Sequence, residues 1–365
     1  MEPWIIGMDI STLLEVEICG GKYYNNKVEG DAIEILRSYG ANMVRLRLWN
    51  DPFDEEGNSY GAGTCDLKTV LTLARRAKAA GMDWLLDFHY SDFWADPGKQ
   101  YPPKAWAGYD LAEMKEAVYD YTLSVIEECA RKGLMPGMIA IGNELSNGML
   151  WPLGKLPEYK NLAELISAGI RAARKAAAGV PVMIHLDNGG NNELYRRWFD
   201  NYLSNGGEDF DCIGLSYYPF WHGSLEDLRG NMADVSERYG KPLYIAEVSM
   251  GFTMEDYAAY EGLAADERNG YATRQEVAAK VPYPMTKEGQ TAFMEDFIKT
   301  IRSVKGCRGY FYWEPAWLPR PGSGWATPAA IKYMNEKGKP GNEWANQALF
   351  DYDGNALPAL KVLKN

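Results

Sequence analysis

The chain of 365 residues is longer than one small domain needs, and its length fits a single large barrel. Hydrophobic residues make up 46% and charged residues 24%, which excludes a disordered or fibrous protein. The formal net charge of −12 has the wrong sign for a nucleic-acid-binding surface, so we expect no nucleic acid partner. No apolar run approaches the roughly 18 residues that span a bilayer, and we expect no membrane insertion.

Sulfur and imidazole ligands are few and scattered along the sequence. The five cysteines form no CxxC pair, and only three histidines are present, so we predict neither a zinc site nor a disulfide framework. The N-terminus lacks a basic region followed by an apolar stretch and predicts no signal peptide. Aromatic residues are frequent, with 12 Trp and 24 Tyr, and a protein can stack flat ligand faces on such rings.

Short β-rich apolar runs alternate with amphipathic helical patterns from one end of the sequence to the other. Several of the helical patterns end in a glycine, a residue that accepts the left-handed backbone closing a helix. The predicted strands are Trp4–Ser11, Asn42–Trp49, Asp83–His89, Met138–Glu144, Val180–Leu186, Cys212–Tyr218, Leu243–Val248 and Gly309–Trp313. The predicted helices include Asp66–Ala80, Leu111–Lys132, Leu162–Ala178, Leu225–Tyr239 and Lys287–Val304.

Eight strand–helix alternations predict parallel strands joined by right-handed crossovers, and therefore an α/β fold of the (β/α)₈ TIM barrel type. The alternative is an open doubly wound sheet, but no GxGxxG follows the first strand. No linker or change in composition divides the sequence, so we expect residues 1–365 to form one catalytic domain. Because a plain barrel takes about 250 residues, the surplus predicts elongated βα loops on the catalytic face.

The positions of the tryptophans agree with the predicted arrangement of strands and loops. Most fall at the C-terminal ends of predicted strands or in the loops after them, and a core-filling role would spread them more evenly. This distribution favours a cleft whose floor stacks on sugar rings. The tryptophans concerned are Trp49, Trp94, Trp106, Trp151, Trp221, Trp313, Trp317, Trp325 and Trp344.

Two carboxylates stand at strand ends where a barrel enzyme carries its catalytic residues. The fourth strand ends in Gly142-Asn143-Glu144, and the seventh carries Glu247 after an apolar run. A buried glutamate is costly unless it is paired or neutral, so two of them at one barrel mouth indicate a working pair. Two carboxyl groups across a cleft suit glycoside hydrolysis, and their separation decides between retention and inversion.

Other strand ends add polar groups to the same face. Alternation along the second strand puts Arg45 and Arg47 on one side, where the catalytic carboxylates or a structural ion pair would meet them. His89 ends the third strand and would bond an acid or a sugar hydroxyl. Tyr217 and Tyr218 on the sixth strand offer a phenol to the nucleophile, and the segment Tyr312–Trp317 on the eighth offers a stacking platform.

These strand-end motifs resemble a known family. Gly142-Asn143-Glu144 with Glu247 is similar to the signature of the retaining clan of barrel glycosidases. Within that clan, Val44–Pro52, Asp87–Pro97 and Tyr312–Trp317 resemble glycoside hydrolase family 53, whose members are endo-β-1,4-galactanases. The similarity extends over nearly the whole chain and implies a retaining endo-galactanase acting on galactan, type I arabinogalactan or galacto-oligosaccharides.

The resemblance also implies roles for individual residues. It makes Glu144 the acid/base and Glu247 the nucleophile, and it assigns Asn143 to the 2-hydroxyl of the substrate. It places Arg45 against the nucleophile, where its charge would keep that carboxylate ionised. The remaining residues that it implies, as supporting groups or subsites, are His89, Tyr218, Trp313, Asp92, Trp94, Asp187, Asn188 and Trp317.

No cofactor is expected for this chemistry. Bacterial members of the family often carry a calcium ion in the loop after the seventh strand, held by a segment that contains Asp, Gly and His. Here the segment Ala265–Tyr271 has no histidine and mixed charge, so we expect no metal site, although calcium as a structural ion stays open.

Several alternatives remain at this stage. The same clan includes enzymes for mannan, xylan and glucan, and a barrel isomerase could use Glu144, Glu247, Asp187 and His89 as metal ligands. A non-catalytic sugar-binding barrel is a further possibility. We expect a monomer that acts outside the cell because of the size of its substrate, although a cytoplasmic enzyme trimming imported oligosaccharides would also fit the missing signal sequence.

Overall fold

Eight parallel strands close into a barrel in the computed structural model, which describes residues 3–257, 274–335 and 341–365. Each strand pairs with its neighbours in chain order, and the last pairs with the first, where Ile5 lies opposite Gly309 and Met8 opposite Tyr312. The strands are β1 (Ile5–Asp9), β2 (Met43–Leu48), β3 (Asp83–Phe88), β4 (Met138–Ile141), β5 (Val182–Leu186), β6 (Cys212–Tyr217), β7 (Leu243–Val248) and β8 (Cys307–Tyr312).

Helices connect the strands and surround the barrel. Most of their N-termini are capped by side chains that accept backbone N–H groups, among them Asp110 and Ser224, each in a capping box. The described helices are α1 (Leu13–Ile18), α2 (Ala32–Ser38), α3 (Leu67–Ala79), α4 (Leu111–Arg131), α5 (Tyr159–Ala176), α6 (Asn192–Ser204), α7 (Leu225–Tyr239), α8 (Gln275–Ala278), α9 (Lys287–Arg302) and α10 (Pro328–Met334). The predicted (β/α)₈ barrel is therefore confirmed.

Among the strand ends, the largest difference from the predicted bounds is at the end of β4. The strand stops at Ile141 rather than at Glu144, because Gly142 has φ +82° and Glu144 has φ +50°, both in the left-handed region. A Cβ on Gly142 would lie 2.7 Å from the Leu145 side chain, so this corner requires glycine. The left-handed backbone at these two residues turns the chain sharply where it leaves the barrel.

The barrel interior is layered from apolar to charged. Its lower part is a compact cluster of buried side chains, and strand alternation brings the residue two positions further along to the same inner side. Arg45, Asp87 and His185 follow members of this cluster in that way and are all buried. The cluster consists of Met43, Leu85, Met138, Ala140, Met183, Cys212, Tyr244, Ala246 and Phe311.

Long connections extend the face at which the strands end. Residues 89–110 link β3 to α4, and residues 313–327 link β8 to α10. The Ala265–Tyr271 segment considered for calcium lies outside the described residues. Among the described helices, none is both long enough and apolar enough to cross a membrane.

Candidate active site

A cleft of about 500 Å³ opens at the C-terminal ends of the strands. Its lining combines carboxylates, a histidine and several tryptophans, a mixture typical of a site for a polar ligand with flat faces. The polar lining includes Arg47, His89, Asn143, Glu144, Tyr218 and Glu247, and the aromatic lining consists of Trp94, Trp221, Trp313, Trp325 and Trp344.

The two predicted catalytic glutamates face each other in this cleft. A carboxylate oxygen of Glu144 lies within 4.8 Å of one of Glu247. A retaining glycosidase keeps its carboxyl groups about 5–5.5 Å apart, whereas an inverting enzyme needs about 6.5–9.5 Å to admit water between them. The separation fits the closely spaced carboxyl pair of a retaining enzyme and not the wider pair of an inverting one.

Glu247 is surrounded by groups that favour its ionised form. Arg45 Nη2 lies 2.8 Å from Glu247 Oε1, and the Tyr218 hydroxyl donates to Oε2 at 2.6 Å. Burial raises the pKa of Glu247 above its ordinary value, while Arg45 and Tyr218 oppose that rise. Among the two carboxyl groups, this one gives up its proton first.

Glu144 has the opposite environment. Burial raises its pKa well above the ordinary range, and the negative charges of Glu247 and Asp187 add to the effect. No cation is among the groups that shift this pKa most, in contrast to the Arg45 contact of Glu247. Of the pair, Glu144 is therefore the group that favours the protonated form and Glu247 the one that favours the carboxylate, which is the division that acid-assisted hydrolysis requires.

Arg45 organises the charged layer beneath the cleft. Besides Glu247, it contacts Asp9 at 2.5 Å, Asp87 at 2.7 Å and the side-chain oxygen of Asn143 at 2.7 Å. Arg47, the second inward arginine, instead forms a structural ion pair, the other alternative that the sequence analysis allowed. Its Nη1 contacts Asp9 and Glu314, and its guanidinium carbon lies 4.5 Å from the ring centre of Trp94.

His89 is held by the loop around it. Its Nδ1 accepts hydrogen bonds from Trp49 Nε1 and from the backbone N–H of Ala95, so Nε2 carries the proton and donates to Asp87 at 3.1 Å. Burial lowers the pKa of His89. It is therefore a neutral residue that fixes Asp87, the partner of Arg45, while its ring forms part of the cleft wall.

Comparisons with known proteins agree with this geometry. The family model of glycosyl hydrolase family 53 matches residues 5–363. The chain is 35% identical to the endo-β-1,4-galactanase of Bacillus subtilis (strain 168), over 100% of this chain and 86% of that protein. The chain belongs to glycosyl hydrolase family 53. The resemblance read from its strand-end motifs is confirmed.

Solved structures of family 53 superpose on the barrel. The catalytic domain from Ignisphaera aggregans has a TM-score of 0.90 and 38% identity, covering 99% of this chain and 95% of that one. A structure of fungal β-1,4-galactanases has a TM-score of 0.77 and 30% identity, covering 98% of both chains. The matches span the barrel and the loops that carry the cleft.

Two of the residues predicted as supporting groups or subsites, Trp317 and Asp92, lie beneath the cleft rather than in its wall. Trp317 has no exposed surface; it packs against Trp94 and Trp313, and so supports the aromatic platform from below. Asp92 is also fully buried and accepts backbone N–H groups of Asp51 and Lys104, so it anchors the loop after β3. Both side chains therefore fit the supporting role that the resemblance allowed rather than a subsite in the wall, a distinction of depth that a motif does not reveal.

Asp187 and Asn188 lie next to the acid rather than among the cleft-lining residues. Asp187 accepts hydrogen bonds from Ser146 and from the Asn188 amide, and its charge contributes to the raised pKa of Glu144. Asn143, Trp94 and Trp313 do line the cleft. These placements leave Asp187 as an electrostatic neighbour of the acid.

Sequence reasoning missed two residues of the inner layer, His185 and Ser216. Both are completely buried, and Ser216 Oγ lies 2.6 Å from Glu144 Oε1. The period of two along β5, which places Met183, His185 and Asp187 on one side, was the available signal for the histidine. A buried serine has no comparable signature.

Substitution of Arg45 by methionine is expected to lower stability by about 3–5 kcal/mol, because it leaves buried carboxylates without their cation. It also removes the charge that lowers the pKa of Glu247, so the acidic limb of kcat/KM should move to higher pH. Urea unfolding and a pH–rate profile measure the two effects.

Arg76→Met provides the matched control, since Arg76 pairs with Glu17 and Asp31 at the partly exposed outer surface. Its loss should cost about 1 kcal/mol or less and leave the pH profile in place. Equal destabilisation by the two variants would contradict the central role of Arg45.

Proposed function

We propose that this protein is an endo-acting β-1,4-galactanase that cleaves galactan or type I arabinogalactan with retention of configuration. The observation that carries the proposal is the pair of carboxyl groups within 4.8 Å, one contacted by Arg45 and Tyr218 and the other with a pKa that burial raises well above its ordinary range. Relatives described as arabinogalactan endo-β-1,4-galactanases, including those of Humicola insolens and Cellvibrio japonicus, support the choice of sugar.

The proposed reaction has two steps. Glu247 attacks the anomeric carbon while Glu144 donates its proton to the glycosidic oxygen, which leaves with the reducing-end fragment. Glu144, now a carboxylate, then takes a proton from water as that water attacks the galactosyl–Glu247 ester. Two inversions restore the β configuration, and both side chains return to their starting protonation states.

Neighbouring groups prepare each partner. Arg45 and Tyr218 hold Glu247 in place for attack on the anomeric carbon. The Asn143 amide donates one hydrogen to Ala95 O, which leaves its second hydrogen for the 2-hydroxyl of the bound sugar. The cleft tryptophans come from the loops after β3, β6 and β8 and from the segment after α10, and this spread supports binding of several sugar units and hence internal cleavage.

The test is digestion of debranched galactan, with reducing ends measured over time and products separated by size. We expect a ladder of oligosaccharides at early times, and proton NMR should show the β anomer forming first. Galactose as the sole product would refute endo action, and first formation of the α anomer would refute retention. Faster cleavage of mannan, xylan or β-glucan in the same assay would show that the substrate is that polysaccharide instead of galactan.

We also propose that catalysis needs no metal. Glu144, His185 and Glu247 are the one group in the described residues whose ligand atoms converge closely enough for an ion. However, both ring nitrogens of His185 already have hydrogen-bond partners, in Asn143 and Ser216. The digestion should therefore keep its rate in a chelator, and loss of turnover there would favour the metal-dependent isomerase chemistry.

Two further proposals concern where and in what form the enzyme works. The carboxyl pair and the cleft around it are complete within a single copy, so the proposed chemistry needs no second one, and we propose a monomer. A polymeric substrate does not cross a membrane, which supports action outside the cell. Imported oligosaccharides would be the alternative substrates of an enzyme inside it.

A further inference from the structure

Four buried side chains form a continuous hydrogen-bonded row beneath the acid. Asn143 Oδ1 lies 2.8 Å from His185 Nδ1, His185 Nε2 lies 2.8 Å from Ser216 Oγ, and Ser216 Oγ lies 2.6 Å from Glu144 Oε1. His185 and Ser216 are fully buried. Each hydroxyl or ring nitrogen carries a limited number of hydrogens. The donor and acceptor of each contact can therefore be assigned in turn, starting from the one group whose orientation is fixed.

The fixed end is Asn143. Its amide nitrogen donates to Ala95 O at 2.9 Å, and its oxygen accepts from Arg45 Nη2 at 2.7 Å, so the orientation of the amide is settled. The atom facing His185 Nδ1 is therefore an oxygen without a hydrogen. The ring nitrogen Nδ1 must carry the proton of this contact.

The His185 ring is neutral in this place. Arg45 bonds the same Asn143 oxygen, so a second cation on the ring would be repelled by the guanidinium. Burial, with Arg45 as the next cause, lowers the pKa of His185 to about 3. A neutral ring with its proton on Nδ1 leaves Nε2 as an acceptor, and the Ser216 hydroxyl must donate to it.

The single hydrogen of Ser216 serves only one of its two contacts at a time. When Glu144 is ionised, the Ser216 hydroxyl donates to Glu144 Oε1 at 2.6 Å and leaves His185 Nε2 without a donor. When Glu144 is protonated, its own hydrogen fills this contact and the Ser216 hydrogen stays on the bond to His185. We propose that His185 and Ser216 are positioning residues that keep the proton on Glu144, because the row has every hydrogen bond filled only when Glu144 is an acid. This inference rests on the proposed function solely for the role of Glu144 as acid/base.

The row also serves the second step of the reaction. When Glu144 has given its proton to the leaving group, the Ser216 hydroxyl turns from His185 to the new carboxylate. His185 Nε2 then loses its donor, which favours return of a proton to Glu144 from the attacking water. The serine thus bonds the acid/base in both states, while the histidine favours the protonated one.

Other ionisable groups face this row and act together with it. Around Glu144 these are Glu247 on β7, Tyr218 after β6, Asp187 after β5 and Asp96 in the loop after β3. Around His185 they are Arg45, Asp87, His89 and His222. The carboxylates raise the pKa of Glu144 regardless of the row, so the contribution of His185 has to be isolated by substitution.

The decisive substitution is His185→Phe, which keeps a ring and removes the acceptor for Ser216. The carboxyl carbons of carbon-13-labelled glutamate, with Glu144 assigned from a Glu144→Gln sample, are titrated by NMR without any sugar. We expect the midpoint of Glu144 to fall by about one pH unit, since its acid form loses the advantage of one hydrogen bond. A histidinium at this position would stabilise the carboxylate, so its removal would raise the midpoint; a rise or no change overturns the proposal.

His222→Phe is the matched control. His222 is also buried near Ser216, but its Nδ1 lies 3.0 Å from the backbone oxygen and does not contact the hydroxyl. Its removal should leave the midpoint of Glu144 in place, and a fall equal to that of His185→Phe would reject the row as the cause.

A measurement on the unsubstituted enzyme covers the case in which His185→Phe does not fold. Nitrogen-15 spectra of the histidine rings should show His185 protonated on Nδ1 and unprotonated on Nε2 across neutral pH. A doubly protonated ring, or a proton on Nε2, overturns the proposal. If galactan is not cleaved while both titrations behave as expected, the proposed substrate fails and the proton-holding row stands.

Discussion

Replacing Glu247 with alanine should reduce galactan cleavage on the order of 10⁴-fold or more, since no other group can form the covalent intermediate. Azide added to this variant with an activated galactosyl donor should restore turnover. It would attack from the face that the missing carboxylate vacates and give the α-galactosyl azide. Product stereochemistry by proton NMR measures the result.

Glu15→Gln is the control for Glu247→Ala. Glu15 is a further largely buried glutamate, with a pKa raised by burial to about 7, but its hydrogen bonds go to Gly63 and Thr64. Its substitution should leave the rate within a few-fold of the parent. A β-galactosyl azide from Glu247→Ala would reverse the roles of the two catalytic carboxylates.

Glu144→Ala is expected to lose about 10²- to 10⁴-fold on galactan, the contribution of a positioned general acid/base. The loss should be small in the first step for a donor whose leaving group departs without protonation. Azide then attacks the galactosyl–Glu247 ester and should yield the β-galactosyl azide.

The pH profile of Glu144→Ala provides an independent check. The alkaline limb of kcat/KM in the parent reports loss of the Glu144 proton, because burial keeps this pKa high. It should disappear in the variant, while the acidic limb of Glu247 remains. An alkaline limb that persists would assign the acid to another residue.

The repeating pattern of the sequence was enough to predict the barrel and its working face. Alternation along Met43–Leu48 correctly sent Arg45 and Arg47 inward, and the apolar runs before Glu144 and Glu247 located both carboxylates at strand ends. These features depend on periods of two and 3.6, which a sequence displays directly.

The sequence could not predict how deeply a side chain is buried or which atoms carry the protons of the buried hydrogen bonds. Trp313 and Trp317 stand four residues apart in one motif, yet the first lines the cleft and the second has no exposed surface. The bonds of His185 to Asn143 and Ser216 join β5 to its two neighbouring segments, so they depend on how adjacent strands pair. Such contacts require three-dimensional information because their partners are distant in the chain.

The left-handed backbone of Glu144 has a consequence for how this enzyme tolerates change. A residue with a Cβ loses roughly 1–2 kcal/mol of stability in that conformation. The turn after β4 that positions the Glu144 carboxyl group therefore destabilises the folded protein. Glu144→Gly should relax this corner and also remove a buried carboxyl group, so the inactive protein should melt at a higher temperature than its parent. Selection for thermal robustness alone would therefore erode this corner, and only continued selection for turnover preserves it.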